Sequence, residues 1–131
     1  MTEQPTPHYN ENTVSAKTAI AKIKNGSRIF ISSASGEPQH LIETMVHDHK
    51  IQDIMIYQML AITLEKYLMD ASFFNRFILK LFFVTNTMQE AAKEGKVDYV
   101  PAYLSEIPSL FSNNQISLDV ALIQISPPDQ F

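Results

Sequence analysis

The chain has 131 residues, of which 45% are hydrophobic and 10% aromatic, which suits one domain with an apolar core and excludes a disordered segment. A formal charge of -4, with only ten lysines and arginines spread along the chain, argues against a nucleic-acid partner, and the lack of cysteine excludes disulfides, thiolate metal sites and cysteine nucleophiles. No apolar run approaches about 18 residues and no apolar leader core follows a basic start, so the expectation is a cytoplasmic protein without a membrane partner.

Residues 1–12 form a polar lead-in containing Pro5 and Pro7, and residues 13–131 read as the domain proper. Ser15 suits the cap of a helix from Ala16 to about Asn25, with Ala16, Ile20 and Ile23 on one face and Gly26 as its stop. Arg28 to Ser32 is β-branched and aromatic and predicts a short strand, followed by the small-residue loop Ser33-Ala34-Ser35-Gly36-Glu37. Pro38 fits the first turn of a helix that carries Leu41, Ile42, Met45 and Val46 at spacings of three and four and ends near His47-Asp48-His49. A second strand is expected from about Asp53 to Met59. Past Ala61, the helical spacing of Leu64, Tyr67 and Leu68 gives way to Asp70 to Asn75, which reads as a loop.

Phe77 to Thr85 is a nearly continuous apolar run and predicts a buried strand, after which Asn86 or Thr87 can cap a helix from Met88 to Lys93 that Gly95 closes. Val97 to Tyr103 predicts a further strand, made an edge or bulged one by Pro101. Ser105 to Pro108 opens a short helix to about Phe111, and Asn113-Asn114 is a turn. The apolar run from Leu118 to Ile125 then reads as a buried parallel strand that delivers the rigid turn Ser126-Pro127-Pro128-Asp129. Strands of about five residues alternating with helices of about ten build right-handed βαβ units. The expected fold class is therefore α/β: three αβα layers around a mostly parallel sheet, incomplete where the chain stops at Phe131.

In such a sheet the segments Ser32 to Pro38, Leu104 to Pro108 and Ser126 to Asp129 all follow strands and gather along one edge. The candidate cleft residues are Ser33, Ser35, Gly36, Glu106 and Asp129. Small residues at 33–36 let backbone approach a ligand, and the helix starting at Pro38 offers unpaired N–H groups to a phosphate or carboxylate; an ordinary strand-to-helix turn has the same composition. Glu106 is either a site carboxylate or a favourable charge at a helix N-terminus, and Asp129 is held by two prolines or caps a following helix. His47 and His49 are two apart and diverge on a helix, which argues against a metal site. Ser33 and Ser35 lack the glycines of a nucleophile elbow.

Several segments resemble the acetyl-CoA hydrolase and 4-hydroxybutyrate CoA-transferase family. They are Ile23-Lys24-Asn25-Gly26-Ser27-Arg28-Ile29-Phe30-Ile31, then Glu37-Pro38-Gln39, then Glu90-Ala91-Ala92-Lys93-Glu94-Gly95-Lys96-Val97-Asp98-Tyr99-Val100-Pro101, then Leu104-Ser105-Glu106-Ile107-Pro108, and finally the run from Asp119 to Asp129. The chain departs from the family at Ser33-Ala34-Ser35, where members have a glycine-richer loop, and around Thr85 to Gln89, where they have a glycine with an arginine. The resemblance implies a CoA-transferase-like fold and enzymes of acyl-CoA and acetate metabolism that take a CoA thioester and a small carboxylic acid as substrates, with no bound cofactor. It also implies that the nucleophilic glutamate lies in a second half. No catalytic residue is assigned here, so Glu37, Glu43 and Glu106 are not promoted to that role, and the isolated chain is expected to be inactive. Expected partners are a C-terminal half or further copies in a homo-oligomer. The alternative is a non-catalytic α/β module that binds an anionic ligand through the serine loop.

Overall fold

A computed structural model describes residues 12–127. The helices are α1 (Ala16–Ile20), α2 (Gln39–His47), α3 (Ala71–Phe74), α4 (Asn86–Lys93) and α5 (Ile107–Ser112), with 3-10 turns at Ala34–Gly36 and Thr63–Tyr67. The strands are β1 (Arg28–Ile31), β2 (Ile54–Gln58), β3 (Phe77–Leu81), β4 (Val97–Tyr99) and β5 (Val120–Leu122). All pairings are parallel, in the order β4-β3-β2-β1-β5.

That order explains the layering. From β1 to β4 the chain steps outward in one direction, and right-handed crossovers keep α2, α3 and α4 on one face. The step from β4 back past β1 to β5 reverses direction, which places α5 on the other face. Strand alternation then sorts the side chains. Ile29, Ile31, Ile54, Ile56, Phe77, Leu79 and Leu81 meet Ile42, Met45, Phe73 and Met88 in the main core. Phe30, Met55 and Tyr57 meet Ile107, Leu110 and Phe111 on the opposite face. Phe111 anchors that second layer, its ring centroid 5.6 Å from Phe30 and 6.1 Å from Phe82 in edge contacts. Each such ring withdrawn from water contributes roughly 1.5–3 kcal/mol.

Several expectations are corrected. The first helix stops at Ile20 rather than near Asn25, because Lys22 and Ile23 turn to tighter i−3 bonds and the Asn25 side chain accepts from Gln52 N–H at 2.9 Å. Asp70 to Asn75 contains a helix where a loop was expected. The Asp70 carboxylate caps it by accepting from Ser72 N–H at 2.8 Å, and Phe73 is buried in a stack with Tyr67 and Phe77. The cap of α4 is Thr85, not Asn86 or Thr87: its Oγ1 accepts from Met88 N–H at 3.3 Å. The third strand ends at Leu81, and β4 ends at Tyr99, before Pro101, as an edge strand. The final strand is three residues long and lies at the other edge, so Ile123 and Ile125 are exposed rather than buried. Asp129 lies outside the described residues.

Candidate functional site

The direction reversal makes the carboxyl ends of β1 and β5 a topological switch point, the place where open parallel sheets form a ligand crevice. Two bonds close its floor. Ser32 N–H donates to Leu122 O at 3.0 Å, and Gln124 N–H donates to Ser32 Oγ at 3.2 Å. The serine hydroxyl in turn donates to Gly36 O at 2.5 Å, so the loop after β1 curls beside the continuation of β5.

Ser33, Ser35 and Gly36 have different parts in that loop. Ser33 Oγ accepts from the N–H groups of Met59 and Leu60, at 3.0 and 3.3 Å, and so ties the loop after β1 to the loop after β2. Ser35 is exposed on the turn. A Cβ on Gly36 would meet open space, and no left-handed φ demands glycine there. Ala34 is the strained residue, at φ 54, in the left-handed region that glycine enters without penalty.

Beneath the loop lies a buried polar cluster that sequence reasoning missed. Glu37 Oε1 accepts from Gln58 Nε2 at 2.8 Å and Ile62 N–H at 2.7 Å. Its Oε2 accepts from Thr63 N–H at 2.8 Å and Thr63 Oγ1 at 2.5 Å. Gln58 is wholly buried at the end of β2, and its amide also donates to Ser32 O at 3.1 Å while its Oε1 has no partner. The cluster clamps the loops after β1 and β2 together. The available signal was a single polar residue at an inward register position, Gln58 after Ile54 and Ile56, and a lone carboxylate between Gly36 and Pro38.

Glu106 stands elsewhere. Its Oε2 accepts from Tyr103 N–H at 3.2 Å, and with Tyr99, Pro101, Ala102 and Tyr103 it lines a separate cleft of about 430 Å³ beyond β4. Its neighbour Ile107 is buried with Tyr57 of β2 and with Phe82, just past β3. Ser32 thus meets Gln124 at the switch point, whereas Glu106 lines a different cleft. No helix among the described residues is long and apolar enough to cross a membrane.

Residues 2–131 match the acetyl-CoA hydrolase/transferase N-terminal domain. The chain is 35% identical over 125 residues to the 4-hydroxybutyrate coenzyme A transferase of Clostridium kluyveri, covering 94% of this chain and 29% of that protein. It is 33% identical over 111 residues to the succinyl-CoA:acetate/propanoyl-CoA:succinate CoA transferase of Fasciola hepatica, covering 82% of this chain and 23% of that protein. The structure of RipA from Yersinia pestis superposes with a TM-score of 0.79 at 22% identity, over 93% of this chain and 31% of that one, and shares the fold. The chain therefore spans under a third of the length of these relatives. Matched along nearly its whole length, it belongs to the acetyl-CoA hydrolase/transferase family, in its N-terminal domain.

Proposed function

We propose that this chain forms one wall of the acyl and coenzyme A cleft of a CoA-transferase or acyl-CoA hydrolase, and that the attacking glutamate comes from the portion that relatives carry beyond it. The observation that supports this most is the 35% identity to a coenzyme A transferase across 94% of the chain. Local chemistry agrees. A nucleophilic carboxylate needs free lone pairs aimed at the thioester, whereas Glu37 is occupied by four donors and Glu106 is turned to its own backbone.

In this reading the companion glutamate's oxygen attacks the thioester carbonyl, the C–S bond breaks, and CoA leaves as thiolate from an acyl-glutamyl anhydride. The thiolate then attacks the glutamyl carbonyl, which frees the first carboxylic acid and leaves a glutamyl-CoA thioester. An acceptor carboxylate attacks the glutamyl carbonyl, expelling CoA thiolate and forming a second anhydride, whose acyl carbonyl the thiolate attacks to give the new acyl-CoA and free the glutamate; in a hydrolase water instead opens the first anhydride, releasing the carboxylic acid and the glutamate while CoA departs as thiol. Ser33, Ser35 and Gly36 line the acyl side, and the Glu37 clamp holds them in place against the loop after β2. Glu106, in the cleft beyond β4, and Asp129, outside the described residues, are the remaining cleft candidates.

Purified chain incubated with acetyl-CoA and a thiol-reactive chromophore should release no thiol above the blank. Sustained release from homogeneous chain would overturn the assignment of the nucleophile to another portion. In the reconstituted enzyme, Gly36→Ala should leave the unfolding midpoint unchanged, since its Cβ has room, and raise KM for the acyl-CoA. An unchanged KM removes Gly36 from the cleft.

A further inference from the structure

The turn that leads from α1 into β1 is built on two separate demands. Gly26 lies at φ 82, in the left-handed region where a side chain is strained, so the turn requires glycine there. The residue before it is set by a different contact: Asn25 Oδ1 accepts from Gln52 N–H at 2.9 Å, while Gly26 N–H donates to Gln52 O at 3.2 Å. Gln52 thus grips both residues of the turn, and its own side chain is tied to His49 O at 2.8 Å. Met together, these demands leave the one Asn-Gly pair of the sequence on an exposed turn. An asparagine followed by glycine is the pair most open to attack by the next backbone nitrogen, because glycine has no Cβ to crowd the five-membered ring.

We propose that Asn25 is a site of spontaneous succinimide formation and that the two bonds to Gln52 gate the reaction. The Gly26 nitrogen loses its proton to solvent base and attacks Asn25 Cγ; the new N–Cγ bond closes the ring, and the side-chain nitrogen leaves as ammonia. Water then opens the ring at either carbonyl. Opening at Cγ gives aspartate, and opening at the main-chain carbonyl gives isoaspartate, in which the backbone runs through Cγ. Ring closure needs Cγ to swing onto the Gly26 nitrogen and that nitrogen to shed its proton, and the bonds to Gln52 N–H and Gln52 O oppose both. The two products part ways structurally. Aspartate keeps an oxygen for Gln52 N–H, so the turn survives. Isoaspartate lengthens the backbone by one carbon, which breaks the register of Gly26 N–H on Gln52 O and of Ser27 N–H on Lys24 O, at the point where Met55 N–H donates to Ser27 O and β1 begins.

The test incubates the purified chain at mildly alkaline pH in buffer and, in parallel, unfolded in guanidinium chloride, and then cleaves it after lysine. The fragment from Asn25 to Lys50 contains no other asparagine, so a gain in mass located at its first residue reports this reaction alone. In guanidinium chloride Asn25 should convert. In buffer it should convert at least about tenfold more slowly, by a factor that matches the hydrogen-exchange protection of the Gly26 amide within about threefold. The isolated isoaspartyl chain should lose protection at Gly26 and Ser27, whereas Asn25→Asp should keep it and leave the unfolding midpoint in place. Equal rates in the two conditions, a slowing that departs further from the measured protection, or no conversion of the unfolded chain overturns the proposal. Faster conversion in buffer overturns the gate, because the Gln52 N–H would then activate Cγ, and intact protection in the isoaspartyl chain refutes the loss of register.

Discussion

Replacing Glu37 with glutamine probes the clamp most sharply, because the two side chains have the same shape. The amide can keep its oxygen toward Gln58 and Ile62 and turn its nitrogen toward Thr63, whose hydroxyl can rotate to accept. The Thr63 N–H is then buried against a donor, which costs about 1–3 kcal/mol. The surviving bonds lose the charge that made them roughly twice as strong as neutral ones, adding about 1 kcal/mol. Glu37→Gln should therefore destabilise the chain by about 3 kcal/mol, which at a urea m-value near 2 kcal/mol/M lowers the midpoint by about 1.5 M with no change in slope. The control is Glu43→Gln, whose carboxylate meets Lys66 at 3.0 Å on the surface with both side chains largely exposed. Such a pair is worth about 0–1 kcal/mol. If the two variants move the midpoint equally, or Glu37→Gln moves it by less than about 0.3 M, the clamp does not hold the loops as described.

Arg76 is buried, and its guanidinium donates to the carbonyls of Val46 at 2.7 Å and Asp48 at 3.2 Å, closing the negative end of α2. Arg76→Met should cost about 2–4 kcal/mol in urea unfolding, because those carbonyls lose a charged donor; a loss below about 1 kcal/mol would show that water replaces it. Ala34→Gly should relieve the left-handed strain and stabilise by up to about 1 kcal/mol, and destabilisation would refute the assigned conformation. The Ser72 hydroxyl, with backbone N–H groups assisting, holds the Asp70 carboxyl below the usual aspartate value of 3.8. A lowered native pKa means the cap's contribution is present above 3.8 and fades as the pH falls through the native value. Ser72→Ala should move the Asp70 titration, followed by NMR, up toward 3.8, and an unmoved midpoint would assign the shift to the backbone instead.

Elements whose residues carry a local signal were legible in the chain. Ser15 before Ala16, Pro38 before Gln39 and Gly95 after Lys93 are stop and start marks that act through neighbouring backbone groups, and each lies within a residue or two of a real boundary. Phe73 shows where that logic fails. Its segment is too short to carry a helical period, and it is helical because the stack with Tyr67 and Phe77 buries the ring. In the site, the serine loop was legible from its small residues. Glu37 was not, because its partners Gln58, Ile62 and Thr63 are more than twenty positions away.

The sequence by itself determined that this is an α/β chain of the acetyl-CoA hydrolase/transferase family, because period, turn residues and ordered motifs are properties of short stretches. Tertiary structure alone decided that β5 returns beside β1, that Ser32 meets Gln124 while Glu106 lines a different cleft, and that β5 is an edge strand among the described residues. Strand order follows from which strands bury the most surface together, a sum over contacts remote in sequence that no window of residues contains.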